Sequence, residues 1–73
     1  MLAREARGLY EAALSDPDLN DKRKAYVFYR MGELDYWISG NKDAARRCWE
    51  KAVVLAPGSR AGKQAGQRLS LVH

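Results

Sequence analysis

The stretch ARRCWEKAV, residues 45–53, repeats the stretch ARGLYEAAL, residues 6–14, almost position by position. Each reads Ala, Arg, any residue, an apolar residue, an aromatic residue, Glu, any residue, Ala and an apolar residue. On a helix, small residues let a neighbouring helix approach closely, and the aromatic side chain fills the wider gap one turn further on. The repetition therefore predicts that the chain builds the same helix-on-helix joint twice.

The composition indicates a single folded domain that covers residues 1–73. Apolar residues make up 47% of the chain, which is enough for a packed core at this length. Cys48 is the only cysteine, so we expect no disulfide, no cysteine-based zinc site and no cofactor. The sequence contains no apolar run that could cross a bilayer and no signal peptide pattern. We therefore expect a cytoplasmic protein without a membrane partner.

The spacing of apolar residues predicts an all-α fold of about four helices. The helices are expected at residues 2–15, 21–39, 42–56 and 60–71. Asn20 or Asp21, Asn41 and Ser59 can cap the last three helices at their N-termini, and Gly40 suits the left-handed position that ends a helix. These capping residues therefore predict where the last three helices begin.

The second predicted helix carries two apolar stripes, whereas a helix on the surface of a domain needs one. The stripes consist of Val27, Met31, Leu34 and Ile38, and of Ala25, Tyr29, Gly32 and Tyr36. We therefore expect this helix to lie between neighbouring helices on both sides.

The order of these residues resembles the tetratricopeptide repeat family. Its pattern runs from an aromatic residue, Leu-Gly and Tyr on one helix to Ala and an aromatic residue on the next, and ends with Pro. The matching positions are Phe28, Met31, Gly32, Tyr36, Gly40, Ala45, Trp49, Ala52 and Pro57. The resemblance implies antiparallel helix-turn-helix repeats that form a fragment of a right-handed superhelix. It gives a full repeat at residues 21–56, the second helix of a partial repeat at residues 2–15, and a capping helix at residues 60–71. The partial repeat contributes Ala6, Tyr10 and Ala13.

The spacing departs from the usual form of this family. The two phrases lie 39 residues apart, from Ala6 to Ala45, whereas the family's period is about 34 residues. We assign about four extra residues to the turn before the second helix and one to the segment between Gly32 and Gly40. The residue in that segment leaves open whether Asp35 or Tyr36 takes the family's tyrosine position. The half-a-TPR repeats of RNA-processing proteins also fit, since their second helix favours Ala-Arg, an aromatic residue and Glu. The repeat subtype stays open.

The resemblance also implies a site. In the tetratricopeptide repeat family, the first helix of each repeat lines a concave groove that holds a peptide or a partner's helix. The corresponding positions here are Tyr26, Tyr29, Arg30, Glu33 and Trp37. Aromatic residues and Arg are frequent anchors of interfaces, although Tyr29 and Trp37 could instead belong to the core. The resemblance therefore implies a protein-protein interaction module or scaffold with a protein or peptide partner.

One ligand of the family is not expected to bind. Its groove can clamp the acidic C-terminus of a chaperone with Lys and Asn residues, and Tyr29 and Glu33 stand at those positions here. A carboxylate at residue 33 would repel the ligand's own carboxylate. We therefore expect no binding of such a C-terminus.

RNA binding is the alternative function. Residues 41–73 carry seven Lys or Arg against two Asp or Glu, and basic surfaces attract nucleic acid. The residues involved would be the basic run at residues 22–24, Arg30, Arg46, Arg47 and Lys51, with Tyr26 and Tyr29 as stacking platforms. Acidic residues in the same helices weigh against this alternative.

Two further expectations concern catalysis and self-association. We expect no enzymatic activity, because Cys48 lies on the inward side of its helix and the only histidine is the last residue, His73. A homodimer is an additional possibility for the partner. In that dimer, Leu2, Leu9 and Tyr10 at the end of the repeat array would pack against a second copy.

Overall fold

The computed structural model of the chain describes residues 3–72. Within them lie the helices α1 (Ala3–Leu14), α2 (Asp21–Glu33), α3 (Lys42–Leu55) and α4 (Arg60–Arg68). A π-helical segment, Leu34–Ile38, continues α2, and a 3-10 turn, Leu69–Leu71, ends α4. The prediction of an all-α fold with about four helices is confirmed. None of the described helices combines the length and the apolar character needed to cross a bilayer.

Three helices begin where the local sequence predicts. The side-chain oxygen of Asn20 accepts a hydrogen bond from the backbone N–H of Arg23 at 2.8 Å, and Asn41 and Ser59 make the equivalent contact at α3 and α4. Before α3 the chain turns at Gly40, whose φ of 68° lies in the left-handed region. These caps satisfy N–H groups that would otherwise lack a partner, so short polar residues fix the helix starts.

The end of the second helix differs from the prediction of a continuous helix to residue 39. The backbone N–H of Ser39 donates to the carbonyl oxygen of Leu34, five residues earlier, at 3.1 Å. This π-turn contains one more residue than an α-helical turn, so it rotates the side chains that follow. Ile38, which the apolar stripe placed in the core, is therefore 64% exposed. Asp35 is buried because it lies one turn after Met31 and Gly32, on the inward side of the helix.

Trp49 is the centre of the core between α2, α3 and α4. Its indole is fully buried, and its Nε1 donates to the backbone carbonyl of Tyr29 at 3.3 Å. A β-carbon at residue 32 would overlap the indole ring, so Gly32 is what allows α3 to approach α2 this closely. The other buried residues of this core are Ala25, Tyr29, Ala45, Ala52, Ala61 and Ala65.

A second, smaller cluster joins α1 to α2 and α3. Val27, Met31 and Cys48 are its buried members. The residues that cover them from α1 and the following turn are Tyr10, Ala13, Leu14 and Leu19. The second helix thus packs on both sides, as its two apolar stripes predict.

The two copies of the repeated phrase have the same orientation in their helices. Ala45, Trp49 and Ala52 are fully buried, and their counterparts Ala6, Tyr10 and Ala13 are half-buried. In each copy the Arg pairs with the Glu four residues further on, at 3.1 Å in α1 and at 3.7 Å in α3. The sequence repeat therefore corresponds to a repeat in packing, with more of α1 open to solvent.

Candidate functional site

Four of the five predicted groove residues share one side of α2 and its π-helical extension. They form a surface that we call the α2 face, which consists of Tyr26, Arg30, Glu33 and Trp37. Tyr26 is 52% exposed and Trp37 is 62% exposed. Exposed aromatic side chains beside an Arg are typical anchors of an interface, because they bury a large area while losing little conformational entropy.

Glu33 is the polar centre of the α2 face and ties it to α4. Its Oε1 accepts a hydrogen bond from Nε of Arg68 at 2.9 Å, and its Oε2 accepts one from Nε1 of Trp37. The hydrogen bond with Glu33 raises the pKa of Arg68 and outweighs the opposing effect of burial. Because one carboxylate holds both groups, it orients the exposed indole and fixes the end of α4 beside it.

Arg30 joins the α2 face to α1. Its Nε donates to the hydroxyl oxygen of Tyr10 at 3.4 Å. This hydrogen bond raises the pKa of Arg30 more than burial lowers it. The face is thus bordered by Tyr10 on one side and by Arg68 on the other. Within the face the charges of Arg30 and Glu33 balance, and Arg68 at its border adds one positive charge.

Tyr29 does not belong to the α2 face, in contrast to the prediction from the resemblance. Its side chain is buried in the core around Trp49. Residue 29 lies roughly 70° around the helix from the centre of the face, on the side where α4 packs. Burial, followed by a hydrogen bond with Glu33, raises the pKa of the Tyr29 hydroxyl. Tyr29 therefore belongs to the core beneath the face.

The residues of the RNA-binding alternative are spread over several surfaces. Arg30 lies on the α2 face, whereas Arg46 and Arg47 are on α3, where Arg46 pairs with Glu50. Tyr29 is buried and cannot stack on a base. The structure therefore does not gather the predicted basic and aromatic residues into one strip.

Sequence reasoning missed a buried polar cluster between α1 and the π-helical segment. Nη1 of Arg7 lies 2.5 Å from Oδ1 of Asp35, and Sγ of Cys48 donates to Oδ2 at 3.6 Å. Burial lowers the pKa of Arg7, but Asp35 and, to a smaller extent, Cys48 together raise it by more. The sequence held a signal for this burial, because Asp35 follows Met31 and Gly32 by four and three positions and therefore shares their buried side of the helix.

Cys48 has the environment of a structural thiol. Burial, and then the negative charge of Asp35, raise the pKa of Cys48 above its ordinary value of 9.0. The thiol is therefore protonated at neutral pH, and the nucleophilic form is scarce. Within residues 3–72, no group of three or more His, Cys, Asp or Glu side chains converges as a metal site would require.

The residues expected to support a homodimer are only partly described. Leu9 is 62% exposed, and Tyr10 is half-buried against the second cluster. Leu2 lies outside the described residues. His73, the only histidine in the sequence and thus the only imidazole base that could activate Cys48, also lies outside them. The exposed part of α1 that remains for self-association is therefore centred on Leu9.

Comparison of the chain with protein-family profiles, with characterised proteins and with solved structures gives no match in any of the three. Function therefore has to be inferred from the side chains described above.

Proposed function

We propose that the chain is a helical-repeat interaction module of the tetratricopeptide type. In this proposal a peptide segment or a helix of a partner protein binds along the α2 face. Tyr26 and Trp37 are the anchors, Arg30 supplies the positive charge, and Glu33 orients the Trp37 indole. The proposal involves no catalytic step and no cofactor.

The arrangement of the helices supports the repeat assignment. The α4 helix packs against both α2 and α3, which is how a helix of a following repeat packs in a stacked array. The helix α1 packs on the opposite side of α2, and its inward residues are those of the repeated phrase. Helix α2 thus occupies the position of a first helix, with one side left open to solvent.

The π-turn gives a second line of support. The alignment with the repeat pattern requires one extra residue between Gly32 and Gly40, and the segment Leu34–Ile38 forms a turn that holds one extra residue. The π-turn therefore takes up the extra residue, and the helices on either side keep their places in the repeat pattern. Tyr36 remains inward and contacts Trp49, with ring centroids 5.6 Å apart.

The contrast between the two tryptophans carries the proposal. The chain buries Trp49 completely, yet it leaves 62% of Trp37 exposed on the same face as Tyr26 and Arg30. Glu33 holds the exposed indole by a hydrogen bond, so the ring does not need to be ordered when a partner binds. An ordered, exposed tryptophan beside a second aromatic residue is typical of a binding surface.

A capture experiment from cell lysate tests the proposal. The bait is the wild-type chain, and the matched variant is Tyr26→Ala combined with Trp37→Ala. Both substituted side chains are exposed, so the variant should keep the fold, whereas a substitution of the buried Tyr29 would not separate binding from stability. We expect the wild type to capture a specific protein and the double variant to lose it.

Nuclease treatment and a control variant make the result interpretable. Leu71→Ala removes an apolar side chain that is exposed outside the α2 face, and it should leave capture unchanged. Capture that persists in the Tyr26→Ala, Trp37→Ala variant would contradict the proposal. Loss of every captured species after nuclease treatment would instead favour the RNA-binding alternative.

A further inference from the structure

An apolar depression lies between α2 and α3, away from the α2 face. We call it the α2–α3 groove. It has a volume of about 460 Å³ and is lined by Phe28, Arg47, Glu50, Lys51, Val54 and Leu55. Val54 is 81% exposed at its edge. The volume is within the range of roughly 300 to 1,000 Å³ that is usual for ligand pockets, and it is large enough for a bulky apolar side chain.

The edge of this groove has an uncompensated positive charge. Glu50 is already paired with Arg46 at 3.7 Å. Among the ion pairs of residues 3–72, none involves Arg47 or Lys51. Nζ of Lys51 lies 5.3 Å from the centroid of the Phe28 ring, so its cation covers the apolar floor instead of meeting a carboxylate. A ligand that fits this groove therefore needs an apolar group to fill it and negative charge beside that group.

We infer that the α2–α3 groove binds an acidic peptide segment in which one or two large aliphatic side chains are flanked by Asp or Glu. The aliphatic side chains pack against Phe28, Val54 and Leu55. The flanking carboxylates pair with Arg47 and Lys51, and Lys51 moves from the ring of Phe28 to the ligand. The aliphatic part of the floor, Val54 and Leu55, distinguishes this ligand from RNA, whose bases stack on aromatic rings and whose backbone would meet only the cations.

This site is independent of the α2 face. Phe28 lies two residues from both Tyr26 and Arg30, and therefore roughly 190° around α2 from the centre of the face. The ligand contacts in the groove are side-chain carboxylates, so they differ from the terminal carboxylate that the chaperone-type clamp would recognise. A partner can consequently occupy each surface at the same time.

A nuclear magnetic resonance titration of the full chain tests this inference. The probe is a short synthetic peptide, acetylated and amidated at its ends, in which two adjacent leucines are flanked on both sides by aspartates. We expect saturable shifts of the backbone amides of Phe28, Lys51 and Val54, with the amides of Tyr26 and Trp37 unaffected. Replacing the leucines by serines, or the aspartates by asparagines, should weaken binding at least about tenfold.

Variants with a matched loss of charge complete the test. Arg47→Gln combined with Lys51→Gln should weaken binding about tenfold or more, and Val54→Asp should abolish it. Arg60→Gln combined with Lys63→Gln removes the same charge from exposed positions on α4 and should leave binding unchanged. The amide spectrum of each variant checks that the fold is intact.

Three results would overturn the inference. The first is the absence of saturable shifts at millimolar peptide, and the second is binding that survives Val54→Asp. The third is a single-stranded RNA that shifts the same amides at lower concentration than the peptide does. None of these results bears on the α2 face, whose test uses different residues.

Discussion

Nη1 of Arg7 lies 2.5 Å from Oδ1 of Asp35, and this ion pair fastens α1 to the π-helical segment that ends α2. The Asp35 side chain is only 8% exposed, whereas that of Arg7 is 35% exposed. The carboxylate is therefore the buried partner, and it depends on Arg7 and on the Cys48 thiol for its hydrogen bonds. A buried charge without its partner is costly, so the stability of the α1 joint should depend on this pair.

Removal of the Arg7 side chain should destabilise the fold more than removal of the Arg46 side chain, which occupies the same place in the repeated phrase. In Arg7→Met the carboxylate of Asp35 stays buried without its charged partner, and we expect a loss of about 1–3 kcal/mol in the free energy of unfolding. Arg46→Met removes an exposed pair with Glu50 and should cost less than about 1 kcal/mol. Urea denaturation of both variants measures the difference.

A double variant separates the ion pair from other effects of the substitution. Arg7→Met combined with Asp35→Leu removes both charges and should recover much of the stability that Arg7→Met loses. Equal losses for Arg7→Met and Arg46→Met would show that Asp35 is not dependent on Arg7.

Two glycines of α4 should respond in opposite directions to the same substitution. A β-carbon at Gly62 would overlap the carbonyl oxygen of Ala56, so Gly62→Ala should destabilise the fold by about 1–3 kcal/mol. A β-carbon at Gly66 would meet Val53 at an ordinary contact of 3.8 Å, so Gly66→Ala should stabilise it by up to about 1 kcal/mol through helix propensity. Thermal unfolding followed by circular dichroism distinguishes them, and a matching sign for both variants would contradict the packing of α4.

The two tryptophans should differ in both stability and fluorescence. Trp49→Ala removes the fully buried centre of the core and should lower the free energy of unfolding by about 3–5 kcal/mol. That loss is comparable to the whole stability of a domain this small, so most molecules of the variant should be unfolded. Trp37→Ala removes an exposed ring and should cost about 1 kcal/mol or less. In single-tryptophan variants, Trp49→Phe and Trp37→Phe, acrylamide should quench the fluorescence of Trp37 strongly and that of Trp49 weakly. Equal quenching would place Trp37 inside the fold.

Alkaline pH should destabilise the fold through Cys48 and Tyr29. The pKa values of both groups are raised above their ordinary values of 9.0 and 10.0, chiefly by burial. The folded chain therefore holds these two protons more tightly than the unfolded chain does. Their contribution is complete below about pH 9 and is lost as the pH rises through the folded pKa values. Unfolding in urea at a series of pH values should show this decline.

Cys48→Ala provides the control for the pH series. The variant lacks the thiol, so its stability should begin to fall at higher pH than that of the wild type. Alkylation of Cys48 by iodoacetamide at pH 7–8 should also be slow in the folded chain and fast in urea. Rapid alkylation under native conditions would show that the thiol is accessible and ionised.

The sequence by itself determined the helices, their starts and the inward side of each. Asn20, Asn41 and Ser59 cap helices because a short polar side chain can satisfy nearby backbone N–H groups, and that interaction is local. The repeated phrase directs Ala and aromatic residues inward for an equally local reason, since the spacing of helical residues places them on one side. The resemblance to the tetratricopeptide repeat family predicted a site of Tyr26, Tyr29, Arg30, Glu33 and Trp37, and helical spacing places all but Tyr29 near the centre of one face.

The tertiary structure alone decided which of these residues are buried and which form surfaces. Around the axis of α2, Tyr29 lies only roughly 70° from the centre of the α2 face. It is buried because α4 packs on that side of the helix and covers it. Ile38 lies outside the core because a π-turn rotates the end of α2. The carboxylate of Asp35 is accommodated inside because Arg7, on another helix, pairs with it. Contacts between helices decide such outcomes, since their energies depend on residues that are distant in sequence.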